Sequence, residues 1–482
     1  MNAIGGSGQF MFDPDLMGQL AGKLTQVPAT AGGISQALDG VQARAEAAMQ
    51  AGGVPPPRRD TTAEQALLPP STEAGGMASD IRSRQQRVLA LNRAQWKQMT
   101  GVEPDLALAL SDNSNPDPAK VKAALAYFRS HINDSSGWTG GDSSYLQGID
   151  NQLQGLTPAE LNAFERALTP AEMREWDKKI SSTDNVLWYH DGLSNSDRAA
   201  LASMLLKGAD PATITKIEQN MPCLQPDIYS GETKGMNMYW LHFNGTLFGP
   251  DGMPHPEKDV VQGDTGDCWF LASLAAVARK DPAFIKNHIW QNANGTYTVR
   301  LYQNGKPVDV TVTGDLPAGQ QGYAGTPGNV GWVAIYEKAF AQLNGGYGNI
   351  EGGYGNTGMA DITGQQTSHQ SWGGPEFWTS SPSLTDIQAR LKQGDAVTAG
   401  TTDDKFLWWG GNTLDNNKIV ADHEYYVKSV NTSTQPPTIT LVNPWGSGGV
   451  EDGHVMPQYV TLTQDQFKSY FNEVDTLPQG GW

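Results

Sequence analysis

QGDTGDCWFLASLAAVARK, residues 262–280, joins a glycine-rich bend to a helix and carries one cysteine at the junction. Gly266 supplies the backbone freedom for a sharp turn, and Asp267 is a residue type that favours the N-cap position. The run that follows, CWFLASLAAVARK, predicts a helix. Cys268 should therefore lie in the first turn of that helix, where the helix dipole and the unpaired N–H groups favour its thiolate form.

Cys268 and Gln262 together indicate acyl-transfer chemistry. A thiolate is a nucleophile, and its attack on a carbonyl develops an oxyanion that needs preplaced hydrogen-bond donors. The backbone N–H of Cys268 can supply one donor, and the neutral amide of Gln262 is suited to be the other. The carboxylate of Asp267 opposes thiolate formation, so a protonated histidine must outweigh it. The alternative is a small buried cysteine and a surface glutamine, neither with a catalytic role.

The stretch QGDTGDCWFLASLA, residues 262–275, resembles the active-site motif of the calpains, which are papain-like cysteine proteases. The similarity continues in the family's order through YTVRLYQNGKPVDVTVTGDLP at 297–317, EKAFA at 337–341 and GGYGNIEGGYGNTGMADITGQ at 345–365. It covers about residues 245–470, and the first half of the chain carries no such resemblance. The resemblance implies an α+β, two-lobed papain-like core, in which a helical lobe carries the cysteine and a β-rich lobe carries the histidine and asparagine. No EF-hand pattern occurs, so we expect the bacterial type, without the calcium-sensing domain of animal calpains.

His423 and Asn443 lie in motifs that resemble the other catalytic segments of the family. His423 opens the strand pattern HEYYVKSV, 155 residues after Cys268, and Asn443 lies in LVNPWG, 20 residues further on. The resemblance implies that His423 takes the thiol proton as general base and returns it to the leaving amine as general acid. Asn443 would orient the imidazole, and Trp445 would shield their hydrogen bond from water. His454 is the nearest competing histidine, in a glycine-rich loop beyond Asn443.

The residues beside His423 depart from the family pattern, which is Gly-His followed by a small residue. Asp422 and Glu424 flank the histidine here. Two acids would favour the imidazolium, and hence its ion pair with the thiolate, and they could alter the substrate preference near the cleft. The alternative for His423 is a hydrogen-bonded strand histidine without a catalytic role.

Asp259 and Glu337 match acidic positions of one calcium site of the family. Hard oxygen ligands suit Ca²⁺. The resemblance therefore adds Ca²⁺ as a candidate ion, whereas the thiol chemistry itself requires no cofactor. The preceding loop GPDGMPHPEK, residues 249–258, departs from the family's loop of carbonyl ligands. An ion pair of Glu337 with a neighbouring lysine or arginine is the alternative.

The composition limits the partners and the compartment. The formal charge is −18 and the basic residues form no dense run, which argues against nucleic acid or an anionic membrane as the main partner. No run of 18 apolar residues exists, so we expect no membrane span. Cys223 and Cys268 are the only cysteines, so neither a disulfide framework nor a zinc site is supported. The N-terminus lacks a secretory signal, so we expect a cytoplasmic protein or secretion by a signal-peptide-independent bacterial route.

The chain divides into regions of different composition and pattern. The helical part contains two TPAE motifs, at 157–160 and 169–172, each with capping-box chemistry and proline at the first helical position. The predicted regions are a flexible N-terminal region and linker, 1–78, with one helix at 34–50; a helical domain, 79–235; a first protease lobe with Cys268, 236–364; and a second lobe with His423 and Asn443, 365–482.

These features predict an endopeptidase that cleaves protein or peptide substrates through a thioacyl-enzyme. A transglutaminase-like acyl transferase also places Cys-Trp at a helix start with a distant histidine, but such sites usually complete the triad with aspartate, where this chain has Asn443. A catalytically silent, calpain-like binding module is the third hypothesis. Residues 1–235 are expected to be an export and targeting region, an inhibitory prosegment, or a module that docks a partner such as secretion machinery. Of these roles, we favour export together with regulation.

Overall fold

A computed structural model describes most of the chain from residue 116 onward. The described residues are 116–134, 144–181, 185–186, 189–190, 192–319, 322–372, 380–402, 418–451 and 453–479. The predicted N-terminal region 1–78, its predicted helix at 34–50 and the first part of the predicted helical domain lie outside the described residues.

Helices make up most of the described chain up to residue 220, with one pair of two-residue antiparallel strands between them. The elements are α1 (Pro118–His131), α2 (Ser144–Gln154), α3 (Pro158–Ala167), α4 (Pro170–Ile180), β1 (Asn185–Val186), β2 (Tyr189–His190), α5 (Asn195–Gly208) and α6 (Pro211–Asn220). Thr157 and Thr169 each form the predicted capping box with the glutamate three residues later. Asp117 caps α1 by accepting the N–H of Ala119. The helix starts predicted from these motifs are confirmed.

An aromatic cluster holds the first helices together. Phe128 on α1, Phe164 on α3 and Trp176 on α4 are fully buried and meet edge to face, with ring centroids 5.8, 5.1 and 6.3 Å apart. This geometry aligns the positive edge of one ring with the negative face of another. The helical part therefore has a hydrophobic core of its own.

Residues 236–364 mix helices with short strands. The helices are α7 (Pro256–Asp259), α8 (Cys268–Lys280), α9 (Pro282–Asn287), α10 (Trp332–Asn344) and α11 (Gly355–Thr363), and the strands are β3 (Tyr239–His242), β4 (Ile289–Gln291), β5 (Tyr297–Gln303), β6 (Lys306–Val312) and β7 (Asp315–Ala318). β3 pairs with β7, and β4, β5 and β6 form an antiparallel sheet. The helix predicted from CWFLASLAAVARK is confirmed as α8. Both α8 and α10 are buried on nearly all sides, with Phe270 stacked on Phe340 at 4.0 Å between ring centroids. An all-round apolar helix is stable only inside such a core.

The last part of the chain forms a six-stranded antiparallel sheet with the strand order β14-β11-β10-β9-β15-β8. The elements are β8 (Ser368–Ser371), α12 (Leu384–Gln393), β9 (Ala396–Thr401), β10 (Glu424–Asn431), β11 (Thr438–Val442), β12 (Val450–Glu451), β13 (His454–Val455), β14 (Tyr459–Thr463), α13 (Gln464–Tyr470) and β15 (Phe471–Leu477). The strand predicted from HEYYVKSV is confirmed as β10, and the segments AVTAGT and TITLV form its neighbours β9 and β11. Central strand β9 is buried on both faces.

Helix α8 connects the central part to the sheet. It packs against α11 and also against β9 and β10, while α5 of the helical part packs against β6 and α10. The mixture of helices and sheet confirms the predicted α+β class, and the boundary between the two predicted lobes stays a prediction. Within the part of the chain that the structure describes, no helix combines the length and the apolar character needed to cross a bilayer.

Candidate active site

Cys268 is the first residue of α8, as predicted. Burial raises the pKa of Cys268 to about 12, although backbone hydrogen bonds from Glu424 and Trp269 act in the opposite direction. The carboxylates of Glu424 and Asp267 add to the increase. The thiol is therefore protonated in this structure. The expected preference for the thiolate is not observed, because the cost of removing a charge from water exceeds the effect of the helix terminus.

His423 immediately precedes β10 and is buried. Its backbone N–H donates to Thr401 Oγ1 at 2.9 Å, and the N–H of Thr401 donates to the carbonyl oxygen of His423 at 2.9 Å. Thr401 is the last residue of β9, so both bonds hold the histidine at the end of a strand pair. The Cys268 thiol meets the backbone of Glu424, the next residue along. The structure thus brings the cysteine to the segment that carries the histidine.

Asn443 determines which ring nitrogen of His423 carries the hydrogen. Asn443 Oδ1 lies 2.9 Å from His423 Nε2 and 2.9 Å from the backbone nitrogen of Trp445. The Trp445 N–H can only donate, so the atom that it meets is the amide oxygen. That oxygen can only accept from Nε2. Nε2 is therefore the protonated nitrogen of the neutral ring, and Nδ1 is its basic nitrogen.

Aromatic rings enclose His423. The ring centroid of Trp445 is 5.0 Å from that of the histidine, and the Tyr425 ring stands perpendicular to it at 5.1 Å. Burial lowers the pKa of His423 to about 4, and the hydrogen bond to Asn443 acts in the opposite direction. The histidine is thus neutral at pH 7, and burial overrides the expected effect of the two flanking acids. Trp445 lies against the ring that it was predicted to shield.

Gln262 connects the segment before the cysteine to the asparagine loop. Its backbone N–H donates to the carbonyl oxygen of Pro444 at 2.9 Å. Its side-chain Nε2 donates to the carbonyl oxygen of Thr265 at 2.8 Å, which leaves the second Nε2 hydrogen for another acceptor. The side-chain oxygen is buried and has no hydrogen-bond partner among the described residues. The predicted role of Gln262 as an oxyanion donor stays a prediction.

Asp267 occupies the N-cap position of α8, but its side chain makes no capping hydrogen bond. It is fully buried beside Glu337 on α10. Burial raises the pKa of Asp267 to about 7, and burial together with the charge of Asp267 raises the pKa of Glu337 well above its usual value. The predicted N-cap position of Asp267 is therefore confirmed, but its side chain meets Glu337 and does not cap the helix.

Asp259 and Glu337, the predicted calcium ligands, both accept hydrogen bonds within the protein. Asp259 Oδ2 accepts the backbone N–H of His255 at 2.7 Å and the indole N–H of Trp332 at 2.8 Å. Both oxygens of Glu337 lie within 3.1 Å of the Ala324 nitrogen, and its carboxyl faces Asp267. These hydrogen bonds use carboxylate oxygens that a calcium ion would also need, and the calcium role of the two acids stays a prediction.

Three acids near the site were not identified from the sequence: the pair Glu473 and Asp475, and Glu257, which lies apart from them. Glu473 and Asp475 on β15 approach Glu424, so that three carboxylates meet beside the histidine segment. The other is Glu257 on α7, which contacts Lys428 on β10 and Tyr459 on β14. The spacing of two between Glu473 and Asp475 signals a shared strand face, but the sequence does not show which strand lies opposite.

Comparisons with known proteins agree with the resemblance found in the sequence. Residues 237–453 match the calpain family cysteine protease model. The chain is 29% identical over 201 residues to calpain clp-4 of Caenorhabditis elegans, which covers 39% of this chain and 27% of that protein. It is 30% identical over 231 residues to the calpain-1 catalytic subunit of Sus scrofa, and the match covers 44% of this chain and 31% of that protein. It is also 30% identical over 201 residues to the calpain-type cysteine protease ADL1 of Oryza sativa subsp. japonica, and the match covers 39% of this chain and 9% of that protein. The chain thus spans less than a third of the length of these relatives.

Proposed function

We propose that the calpain-like cysteine protease domain of this chain, residues 237–453, is an endopeptidase with Cys268 as its nucleophile. The observation that carries the proposal is that Asn443 Oδ1 accepts hydrogen bonds from both the Trp445 N–H and His423 Nε2. Nδ1 of His423 is therefore the unprotonated nitrogen. The Cys268 thiol meets the backbone of the residue that follows this histidine. A thiol, a base of defined tautomer and an orienting amide form the set that nucleophilic acyl transfer requires.

The reaction proceeds by two acyl transfers. Cys268 Sγ attacks the carbonyl carbon of the scissile peptide while its proton moves to Nδ1 of His423. The imidazolium then gives this proton to the leaving amine, and a thioester remains. Water attacks the thioester with its proton passing to Nδ1, the free acid leaves, and the proton returns to Sγ. The Cys268 N–H and the second Nε2 hydrogen of Gln262 donate to the oxyanion.

The resting site is neutral, which makes its activity conditional. Burial raises the pKa of the Cys268 thiol and lowers the pKa of the His423 imidazole, so proton transfer between them is unfavourable in this conformation. Substrate or a conformational change must supply polar contacts to the ion pair before attack. The same observation favours the second candidate, a catalytically silent binding module.

Labelling by an epoxide inhibitor such as E-64 separates these candidates. The full-length wild type and Cys223→Ala should be labelled at Cys268 and should digest casein, whereas Cys268→Ala should do neither. Cys223 is the matched control, because it is the other cysteine of the chain and lies half-buried in the helical part, away from His423. Digestion by Cys268→Ala at the wild-type rate would overturn the proposal. An unlabelled and inactive wild type, tested with and without Ca²⁺, would identify a silent module.

A transglutaminase-like acyl transferase would give different products. Such an enzyme joins a glutamine side chain to an amine, whereas a peptidase shortens the chain and adds water. Mass spectrometry of casein products therefore separates the two reactions. Asn443 favours hydrolysis, since the transferase sites usually carry aspartate at that position.

Residues 1–235 have a separate role in this proposal, in export together with regulation, or in docking a partner such as secretion machinery. The described helices contact the protease domain through α5. Ser203 Oγ accepts the N–H of Thr311, and Asn294 Nδ2 donates to the carbonyl oxygens of Leu206 and Ala209. These contacts support a fixed attachment to the first lobe. The substrates are proteins or peptides, met either in the cytoplasm or after secretion without a signal peptide.

A further inference from the structure

Three carboxylates meet on one face of the six-stranded sheet. Glu424 on β10 and Glu473 on β15 both pair with Gly400 on the strand between them. Asp475 pairs with Thr398, two residues along that strand, and so faces the same side. One oxygen from each acid lies within 4.8 Å of the others. Because Gly400 has no side chain, nothing separates the acids of the two flanking strands.

The cluster is buried and its hydrogen bonds are incomplete. Glu424 is 3% exposed, and its Oε1 has no hydrogen-bond partner among the residues that the structure describes. Thr398 is fully buried beside it, and its hydroxyl lies against the Glu424 carboxyl. A Cβ built on Gly355 would clash with Thr398 Oγ1 and lie 2.6 Å from Glu424 Oε1 and 3.1 Å from Asp475 Oδ2. The three oxygens thus converge on one point above the Gly355 backbone.

Asp475 has contacts that partly offset its burial. Asp475 receives a hydrogen bond from the Asn356 N–H at 2.8 Å and pairs with His369 Nδ1 at 2.7 Å. Glu424 and Glu473 face each other across the glycine. Like charges at neighbouring positions of a sheet face destabilise it, and a buried ionised carboxylate without a partner is costly. A positive ion or shared protons must offset this cost.

We propose that Glu424, Glu473 and Asp475 bind one divalent cation, with Thr398 Oγ1 as a fourth ligand. Because every donor is an oxygen, the site selects the class of Ca²⁺, Mg²⁺ and Mn²⁺ over zinc or copper. His369 and the Asn356 N–H orient Asp475 from outside the ligand set. The half-buried Glu473 provides the side from which the ion enters. This site goes beyond the proposed peptidase and does not require its activity.

Calorimetric titration of the EDTA-treated, full-length protein tests the site. CaCl₂, MgCl₂ and MnCl₂ are titrated separately, and at least one should bind with one ion per chain and a Kd below ~1 mM. Glu424→Gln and Asp475→Asn should each weaken binding by about tenfold or more. Asp465→Asn, an acid in the first turn of α13, and Glu337→Gln, a predicted calcium ligand, should bind as the wild type does.

Thermal unfolding shows whether each variant is folded, so that a loss of binding can be distinguished from a loss of structure. In EDTA, Glu424→Gln should unfold at the wild-type temperature or above it, because one repelling charge is removed. The bound cation should raise the Tm of the wild type and leave that of Glu424→Gln unchanged. Thr398→Val, which is nearly isosteric, should weaken binding without lowering the Tm in EDTA.

Two results would overturn the site. If the wild type binds none of the three cations, shared protons neutralise the acids. If Glu424→Gln and Thr398→Val bind as tightly as the wild type, the ion sits elsewhere in the chain. Neither readout depends on peptide cleavage, so an inactive wild-type enzyme would leave the binding test intact.

Discussion

Asn443 sets which nitrogen of His423 carries the proton, because its amide oxygen accepts from both Trp445 and the imidazole. The sequence predicted an orienting role from a resembling motif. The structure adds the second acceptor contact, which fixes the direction of the amide. The backbone hydrogen bond from Trp445 therefore orients the Asn443 amide, and the tautomer of His423 follows from that orientation.

Asn443→Ala should lower kcat by about 100-fold and leave KM nearly unchanged. The imidazole would lose the hydrogen bond that fixes its tautomer and orientation, and general acid–base catalysis is worth about 10²–10⁴-fold in rate. Steady-state kinetics on a fluorogenic peptide measures both constants. Asn431→Ala is the matched control, because Asn431 accepts from Ser433 in a turn of the same sheet. Equal losses in both variants, or a change confined to KM, would contradict the orienting role.

At Asp267 the residue preference predicts the N-cap position correctly but not the contact that the side chain makes. Aspartate at a helix start predicts a capping side chain. In the structure this carboxyl turns into the core and meets Glu337. Capping preference describes an exposed helix end, whereas this end is buried between two helices, where the neighbouring acid and the loss of water decide the conformation.

Helix α8 depends on a close approach of α11. Ser273 Oγ on α8 donates to the carbonyl oxygen of Gly355 at 2.8 Å, where α11 begins. A Cβ on Gly358 would lie 2.7 Å from Ser273 Oγ and 3.2 Å from the carbonyl oxygen of Trp269. The glycine therefore sets the distance between the cysteine helix and its neighbour.

Gly358→Ala should destabilise the protein by about 1–3 kcal/mol, which is the usual cost of overpacking a core. In an exposed helix the same change would stabilise the protein by up to ~1 kcal/mol. Overpacking and helix propensity therefore predict opposite signs for the change in the free energy of unfolding. Urea unfolding of the full chain measures the difference. Gly155→Ala is the control, since its Cβ would meet nothing closer than 3.5 Å. A stabilised Gly358→Ala variant would show that the helices can separate at no cost.

Most individual elements could be predicted because their signals are local. The TPAE motifs define α3 and α4, since the threonine, proline and glutamate act within one turn. The strands β9, β10 and β11 follow from runs rich in β-branched and aromatic residues. The acidic face of the sheet could not be predicted, because it depends on the strand order that places β9 between β10 and β15.

Glu257 joins distant parts of the whole protease domain. From α7 it contacts Arg279 at 3.1 Å, Lys428 at 2.6 Å and the Tyr459 hydroxyl at 2.9 Å. Its carbonyl oxygen also accepts from Gln458 at 2.6 Å. The network connects the segment before the cysteine to β10 and β14 of the sheet, and so links the two predicted lobes on either side of the site.

Glu257→Gln should lower kcat/KM by about tenfold and stability by about 1 kcal/mol, because small misplacements of catalytic groups have large kinetic effects and partly exposed ion pairs contribute little energy. Steady-state kinetics measures kcat/KM and thermal unfolding measures stability, each at low and at high NaCl concentration. The wild type should lose more activity with salt than the variant, whose network is already weakened. Asp309→Asn breaks the Arg300 pair inside a single hairpin and is the control. Equal kinetic losses in the two variants would contradict a role for Glu257 between the lobes.

The sequence by itself determined the helix that starts at Cys268, the strand that follows His423, the capped helices and the family resemblance, because each is a pattern of neighbouring residues. Only the tertiary structure decided the charge states and the contacts. It placed Asp267 against Glu337, made the cysteine and histidine neutral by burial, and gathered Glu424, Glu473 and Asp475 around Gly400. The physical reason is that desolvation and the register between strands depend on residues far apart in the chain, which no local pattern encodes.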